Sequence, residues 1–338
     1  MELNDSDGFW SSKNILITGS TGFVGSWLTR RLVQEKANVV SLVRDDHKKS
    51  SLDLICGSDY YPDTVVFGDI CNYELISRIL SEYNINIIMH LAAQAIVGAA
   101  NNYPLSTFQS NIQGTWNVLE ACRNSPSVES IVIASSDKSY GEPQNVPITE
   151  DHPLMASHPY DASKACAEIL SKTYAKSFDL PVGITKCSNI YGGGDLNFNR
   201  IIPETIQAVL SNNDPIIRSD GTPVRDFIYI DDVVIGYLTL AKAIVKNKNF
   251  NGESFNFGTK TPTTVLDLVN RIIEMTDNKK LKPKVQNITK NEIHEQYLDS
   301  TKSGKHLGWS AVVDLNEGLA MTVKWYKNYF QEKGIIKN

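Results

Sequence analysis

An α/β fold built on a doubly wound parallel sheet is the class this chain predicts, with a smaller α/β lobe formed by its C-terminal part. Three observations carry that reading. Short apolar runs alternate with segments of helical periodicity from residue 14 to about residue 189, the order that builds parallel strands joined by crossover helices. The first apolar run feeds directly into a glycine-rich loop and then a helical pattern. No obvious linker divides the 338 residues, so residues 191–338 are expected to form mainly the second lobe while returning part of the chain to the sheet.

The N-terminal elements set the first site. Asn14–Thr18 reads as a buried strand, followed by Gly19-Ser20-Thr21-Gly22-Phe23-Val24-Gly25 and a helix. Glycines serve where the chain turns tightly, where backbone approaches a pyrophosphate, and where helix packs on strand. The helix N-terminus then offers free N–H groups and a positive dipole end. Gly19, Thr21, Gly22, Phe23, Val24 and Gly25 are therefore the expected dinucleotide cradle, and residues 1–190 the expected Rossmann-type NAD(P)-binding domain.

The end of the second strand bears on which dinucleotide. An acid about twenty residues past the glycines would hold ribose hydroxyls, but counting from Gly25 that position falls near Val43. Arg44 follows, and a guanidinium grips a 2′-phosphate with two charge-assisted hydrogen bonds, so NADP is expected. Two readings leave NAD open. Arg44 is then an exposed strand-end charge paired with Asp45 or Asp46, or Asp45, shifted by one residue, becomes the ribose ligand.

Reactive groups concentrate in Ser135-Ser136-Asp137-Lys138-Ser139-Tyr140-Gly141 and in Tyr160-Asp161-Ala162-Ser163-Lys164. Tyr160 and Lys164, four apart, share one face of a helix. A buried ammonium beside a phenol favours phenolate, so the Tyr160 pKa is expected to fall toward neutrality. A hydroxyl, a carboxyl, an ammonium and this pair together suit oxidation of a sugar carbinol followed by loss of water. The plainer reading of Asp137 and Lys138 is an ion pair at a strand end, and Ser136 would then cap a turn.

With these motifs the chain resembles the extended short-chain dehydrogenase/reductases over nearly its whole length. Further carriers are Gly68-Asp69-Ile70, His90-Leu91-Ala92-Ala93-Gln94 and Asn111-Ile112-Gln113-Gly114-Thr115. The resemblance implies that Asp69 and Ile70 lie at the adenine, and that Leu91, Ala92 and Ala93 lie beside the nicotinamide ribose. Within the family the chain looks like the nucleotide-sugar 4,6-dehydratases, especially the CDP-glucose type, which carries a Ser/Thr-Asp-Lys run. The Arg44 region looks more like NADP-using GDP-mannose 4,6-dehydratases, and Lys186 stands where many relatives have Arg. The implied roles are Tyr160 as base at the C4 hydroxyl, Lys164 as holder of the nicotinamide ribose, Ser136 as relay, Lys138 as base at C5, and Asp137 as acid at the C6 hydroxyl.

Substrate contacts are expected from Gln94, from Asn189 in Asn189-Ile190-Tyr191-Gly192-Gly193-Gly194-Asp195, and from Arg225, which resembles the family's pyrophosphate-binding arginine. Arg200 and Arg218 are further candidates for the same anionic group. Two other functions compete: a nucleotide-sugar 4-epimerase or 4-reductase, and a non-catalytic NADP sensor.

Bulk properties set limits. A net charge of −5 argues against a nucleic-acid surface, and the basic stretch from Lys279 to Lys284 reads as a solvated loop. Five scattered cysteines without CxxC spacing favour a reducing cytoplasm and give no metal site. The acidic start is unlike a signal peptide, and no segment approaches the ~20 apolar residues of a membrane helix. Helical patterns over 107–123 and 162–177 carry Trp116, Val118, Leu119, Ile169 and Leu170. Relatives pair such helices across a dimer, so a homodimer is expected, although from sequence alone the same residues equally suit the core.

Overall fold

The computed structural model describes residues 8–45, 50–276, 278, 280–289 and 293–336. Asp46, Lys279 and residues 1–7, all used in the sequence reading, lie outside the described residues.

Seven strands form the main sheet: β1 (Asn14–Thr18), β2 (Asn38–Val43), β3 (Thr64–Phe67), β4 (Ile87–His90), β5 (Ser130–Ala134), β6 (Val182–Cys187) and β7 (Ser254–Phe257). They run parallel in the order β7-β6-β5-β4-β1-β2-β3. This is the doubly wound sheet expected. Parallel strands need a cover on both faces, and β1 shows it residue by residue. Ile15 and Ile17 enter one apolar cluster with Leu28, Leu32, Val233 and Leu240, whereas Leu16 enters another with Val118 and Leu119. Each fully buried aliphatic side chain contributes about 1.5–3 kcal/mol.

The strand order reverses between β1 and β4, which opens a crevice at their carboxyl ends. There Thr18 and His90 are register partners, and the loops that follow, Gly19 onward and Leu91 onward, face each other. The second half contributes more than a lobe. Its strand β7 closes the sheet edge against β6, and the helix Ile230–Lys246 packs on β5 and β6. The remainder is built from short pairings. Asn189–Tyr191 pairs with Phe227–Tyr229, and Val224–Arg225 sits between Thr263–Thr264 and Glu295–Gln296.

The expected helix over 107–123 is a composite: α-helical Pro104–Phe108, a π-helical turn Gln109–Gln113, then α-helical Gly114–Arg123. The other runs Pro159–Phe178, with Pro159 at its first turn, where proline lacks no needed N–H. Their apolar residues divide. Val118 and Leu119 are core, while Trp116 and Ile169 are 43% and 54% exposed. All five cysteines are free thiols. Among the described residues no helix is long and apolar enough to cross a membrane, and no acid, His or Cys cluster could hold a metal ion.

Candidate active site

A cavity of about 570 Å³ occupies the crevice. Its walls bring together Gly19, Thr21, Gly22, Phe23, Val24, Gly25, Leu91, Ala92 and Ala93 with Ser136, Asp137, Lys138, Tyr160, Lys164, Asn189 and Arg200. A second cavity, about 150 Å³, is lined by Gly19, Thr21, Arg44, Asp45, Asp69, Ile70, Ala92 and Ala93. The two share Gly19, Thr21, Ala92 and Ala93, so they form the two ends of one elongated site.

The glycine loop fits a dinucleotide on its own geometry. Gly19 has φ +77°, and a Cβ there would stand 2.8 Å from the Ala92 nitrogen. A Cβ on Gly25 would overlap the Gly19 carbonyl. Gly22 ends the loop, its N–H donating to the Gly19 carbonyl at 3.1 Å and its own carbonyl accepting from Ser26 N–H at 2.9 Å. The first turn of helix Phe23–Gln34 thus opens onto the cavity with no side-chain cap, which leaves backbone donors for an anionic group.

At the far end the Arg44 Nε donates to Asp45 Oδ2 at 2.6 Å, both side chains being about half exposed. The Arg44 pKa is raised, first by that hydrogen bond and further by the charges of Asp45 and Asp69. Among the described residues, one cation therefore faces two carboxylates at this end of the site. The expected preference for NADP finds no support in this arrangement.

Asp137 and Lys138, the expected acid and base, sit on a tight turn. Ser136 caps the 3₁₀ turn Asp137–Tyr140, its Oγ accepting from Lys138 N–H at 3.2 Å. Gly141, at φ +69°, ends it against the Met155 carbonyl. Asp137 is 4% exposed. Its Oδ1 accepts from Ser136 Oγ at 3.1 Å and its Oδ2 from Lys138 Nζ at 3.2 Å. Ser136 thus both caps the turn and faces the cavity, where it also hydrogen-bonds the Tyr160 phenol. A hydroxyl has one proton to give, so Ser136 stands where it can alternate between Asp137 and Tyr160.

Tyr160 corrects one expectation. Its pKa is not lowered toward neutrality; burial pushes it up to about 12, opposed by the Ser136 hydrogen bond and the Arg200 charge. Lys164, the other half of the expected pair, is buried as well. Its Nζ donates to the Ala134 carbonyl at 2.6 Å, and burial brings its own pKa down to about 8. His90 is no base: its ring is fixed between Thr18 Oγ1 (2.8 Å) and Thr115 Oγ1 (3.1 Å), and burial holds its pKa near 3.

Of the expected substrate residues, Asn189 and Arg200 line the cavity, Arg200 donating to Asp195 Oδ2 at 3.0 Å. Three others are held elsewhere. Arg218 forms a two-pronged pair with Glu204 at 2.6 and 2.8 Å. Arg225 donates to the Val224 and His294 carbonyls. Gln94 accepts from Ile96 N–H through its own side chain, while Asn111 brackets its backbone.

Two features escaped the sequence reading. Gln296, 1% exposed, accepts from Lys138 Nζ and donates to the Asp137 carbonyl at 3.3 Å. Behind the turn, Lys186 and Glu168, both fully buried, approach to 2.9 Å, and the Lys186 ammonium lies 3.8 Å from the Tyr140 ring centre. Tyr140 Oη in turn donates to Asn256 Oδ1 at 2.9 Å. Only Lys186 carried a signal, as a lysine at a position where relatives carry arginine.

The sequence pattern of the family described as GDP-mannose 4,6 dehydratase matches residues 16–322. The chain is 28% identical to a CDP-glucose 4,6-dehydratase of Salmonella typhimurium, over 97% of this chain and 94% of that one. It is 32% identical to a putative UDP-glucose 4-epimerase of Methanocaldococcus jannaschii, over 93% and 98%. The crystal structure of DesIV, a dTDP-glucose 4,6-dehydratase from Streptomyces venezuelae with NAD bound, superposes with a TM-score of 0.82 at 26% identity, covering 96% of this chain and 99% of that one.

Proposed function

The chain belongs to the GDP-mannose 4,6 dehydratase family, and from that footing we propose that it converts a nucleoside-diphosphate hexose, CDP-glucose as first choice, into its 4-keto-6-deoxy form. The observation that carries this reading is the contact between Asp137 and Lys138 at the wall of the cavity that holds Tyr160. Elimination needs a base and an acid at once, and an ion pair becomes both when one proton shifts from the ammonium to the carboxylate.

The dinucleotide is held by the cradle from Gly19 to Gly25, by Lys164, and at its adenosine end by Asp45 and Asp69. Because two carboxylates outweigh Arg44 there, we read it as NAD. When bound, it supplies a reversible hydride acceptor and one positive charge. Burial opposes the Tyr160 phenolate, whereas the Ser136 hydrogen bond and the positive charge a bound oxidised nicotinamide would bring favour it, and as phenolate Tyr160 takes the C4 hydroxyl proton. The C4 carbonyl so formed acidifies the C5 proton. Neutral Lys138 removes that proton while protonated Asp137 gives its own to the departing C6 hydroxyl. Water leaves, the hydride taken from C4 returns to C6 as Lys138 gives its proton back to C5, and the proton held by Tyr160 passes through Ser136 to Asp137, so the product is the 4-keto-6-deoxy sugar and the site regains its starting charge. Arg200 and Asn189 are the diphosphate contacts. The half-exposed Trp116 and Ile169, on adjacent helices, are proposed to pack against a second copy of the chain.

The test is mass spectrometry of CDP-glucose, GDP-mannose and UDP-glucose after incubation with the protein and NAD⁺. A product lighter by one water supports the dehydratase and identifies its substrate. The epimerase named among the relatives keeps the second reading in play, and an isomer of unchanged mass would establish it. Lys138→Met separates the two independently. A dehydratase variant should lose elimination by about 10²–10⁴-fold while still reducing bound cofactor, whereas an epimerase should be nearly unaffected.

A further inference from the structure

We propose that Gln296 is a positioning residue for the acid–base pair. Its neutral amide holds Lys138 and the Asp137 turn from the opposite lobe without adding charge, so that the pair can redistribute its proton. This rests on the reading of Lys138 as the base at C5.

Both ends of the amide are committed. Nε2 donates to the Asp137 carbonyl at 3.3 Å, which fixes Oε1 toward Lys138 Nζ, and Oε1 accepts from it. A flipped amide would point donor at donor. The residue is buried and comes from 158 positions away in the chain, on the two-residue strand Glu295–Gln296. That strand pairs with Val224–Arg225. The next residues are pinned too, with Ile148 N–H donating to the Tyr297 carbonyl at 2.9 Å and Asp299 N–H to the Ile148 carbonyl at 2.8 Å. The grip on Lys138 is therefore rigid, although the Lys138 side chain itself is 28% exposed.

The choice of an amide has a chemical consequence. An ammonium has three N–H groups; here one meets Asp137, one meets Gln296, and one is left for the cavity. After a proton passes to Asp137 the amine keeps two N–H groups and gains a lone pair. That lone pair first faces the Asp137 hydroxyl; with one N–H still accepted by Gln296, the amine can turn about its Cε–Nζ bond and present the lone pair to the cavity. A carboxylate at the same position would instead stabilise the ammonium and block the shift.

The experiment measures the pH dependence of turnover, with whichever of CDP-glucose, GDP-mannose and UDP-glucose the wild-type protein converts, for Gln296→Glu, Gln296→Met and Lys138→Met. A pair sharing one proton gives a bell-shaped profile. Gln296→Glu should move its alkaline limb up by about one to three pH units and lower the plateau about tenfold per unit. Gln296→Met, which keeps the volume and removes the acceptor, should lower kcat about 10- to 100-fold with KM within about twofold and no shift of the limb. Both variants should still reduce bound nicotinamide on adding substrate. A wild-type profile in Gln296→Glu, or a joint loss of nicotinamide reduction and KM in both variants, overturns the role of Gln296. Continued elimination by Lys138→Met, or no turnover of any sugar by the wild type, overturns the underlying reading instead.

Discussion

Replacing Lys186 with Met puts the buried charge behind the Asp137–Tyr140 turn to the test. Lys186 and Glu168 are both fully buried and 2.9 Å apart. Removing the ammonium leaves the Glu168 carboxylate in the core, with its Oε1 still served by Lys172 Nζ at 2.7 Å and Ser254 Oγ at 2.9 Å, but with nothing opposite Oε2. Breaking a buried pair from one side costs about 3–5 kcal/mol, and the surviving contacts put this case near the low end, about 3 kcal/mol. An unfolding entropy of about 2.1 cal/mol/K per residue over 338 residues gives about 0.7 kcal/mol/K, so the midpoint should fall by about 4 °C. Urea denaturation followed by tryptophan fluorescence measures the free energy directly. Glu168→Gln in the same background removes the stranded charge and should restore about half the loss or more. A single variant within about 1 °C of wild type would refute the reasoning. So would a double variant no more stable than Lys186→Met alone, because the carboxylate would then not be stranded. Burial lowers the Lys186 pKa to about 8 from 10.5, so between those values the folded state holds fewer protons than the unfolded one and stability rises with pH. Lys164 adds to the same rise, and Lys186→Met should remove only the Lys186 share.

Three shorter expectations follow from the site and the surface. Gly25→Ala drives a methyl into the Gly19 carbonyl and should weaken NAD⁺ binding at least about tenfold with the circular dichroism spectrum retained; wild-type affinity by titration calorimetry would count against the cradle. Asp45→Asn removes one of the two carboxylates near Arg44 and should shift the NADP⁺/NAD⁺ selectivity about tenfold toward NADP⁺, the yield of about 1–2 kcal/mol of repulsion at surface dielectric. An unchanged ratio of kcat/KM values would sink that account. Ile169→Arg changes a residue already 54% exposed, so if the proposed second copy packs there it should halve the mass seen in sedimentation and leave the subunit's fold intact by circular dichroism; a wild-type protein of single-chain mass, or an undiminished mass in the variant, would refute that packing.

Local chemistry was legible in the sequence, and long-range partnership was not. The glycine loop, the Ser136–Lys138 turn and the Tyr160/Lys164 pair are each complete within a few residues, and all converge on one cavity. Arg218 was drawn toward the substrate by its charge and Arg225 by resemblance to the family's pyrophosphate-binding arginine. Their actual partners, Glu204 and the His294 carbonyl, are contributed by other segments, and no spacing rule reports them. Gln296 gave no signal because an isolated glutamine has no pattern; its meaning arises only when the lobe folds over Asp137. The direction of the Tyr160 pKa failed for a similar reason. It depends on burial, which a sequence interval does not encode. Trp116 and Val118, two positions apart, show the same limit: one faces outward and the other the core.

Strand β7 reaches the sheet only after the chain has left β6 and built much of the second lobe, and its residues Phe255 and Phe257 are fully buried. The lobe is therefore sewn into the sheet at both ends rather than appended to it. A fragment stopped after β6 would keep the whole glycine loop yet expose the open hydrogen-bonding edge of Ile184 and its neighbours, a template for intermolecular pairing. Exchange of this lobe between related proteins would have to carry β7 and the helix Ile230–Lys246 with it. The unit that could be exchanged is thus larger than the set of residues that line the cavity.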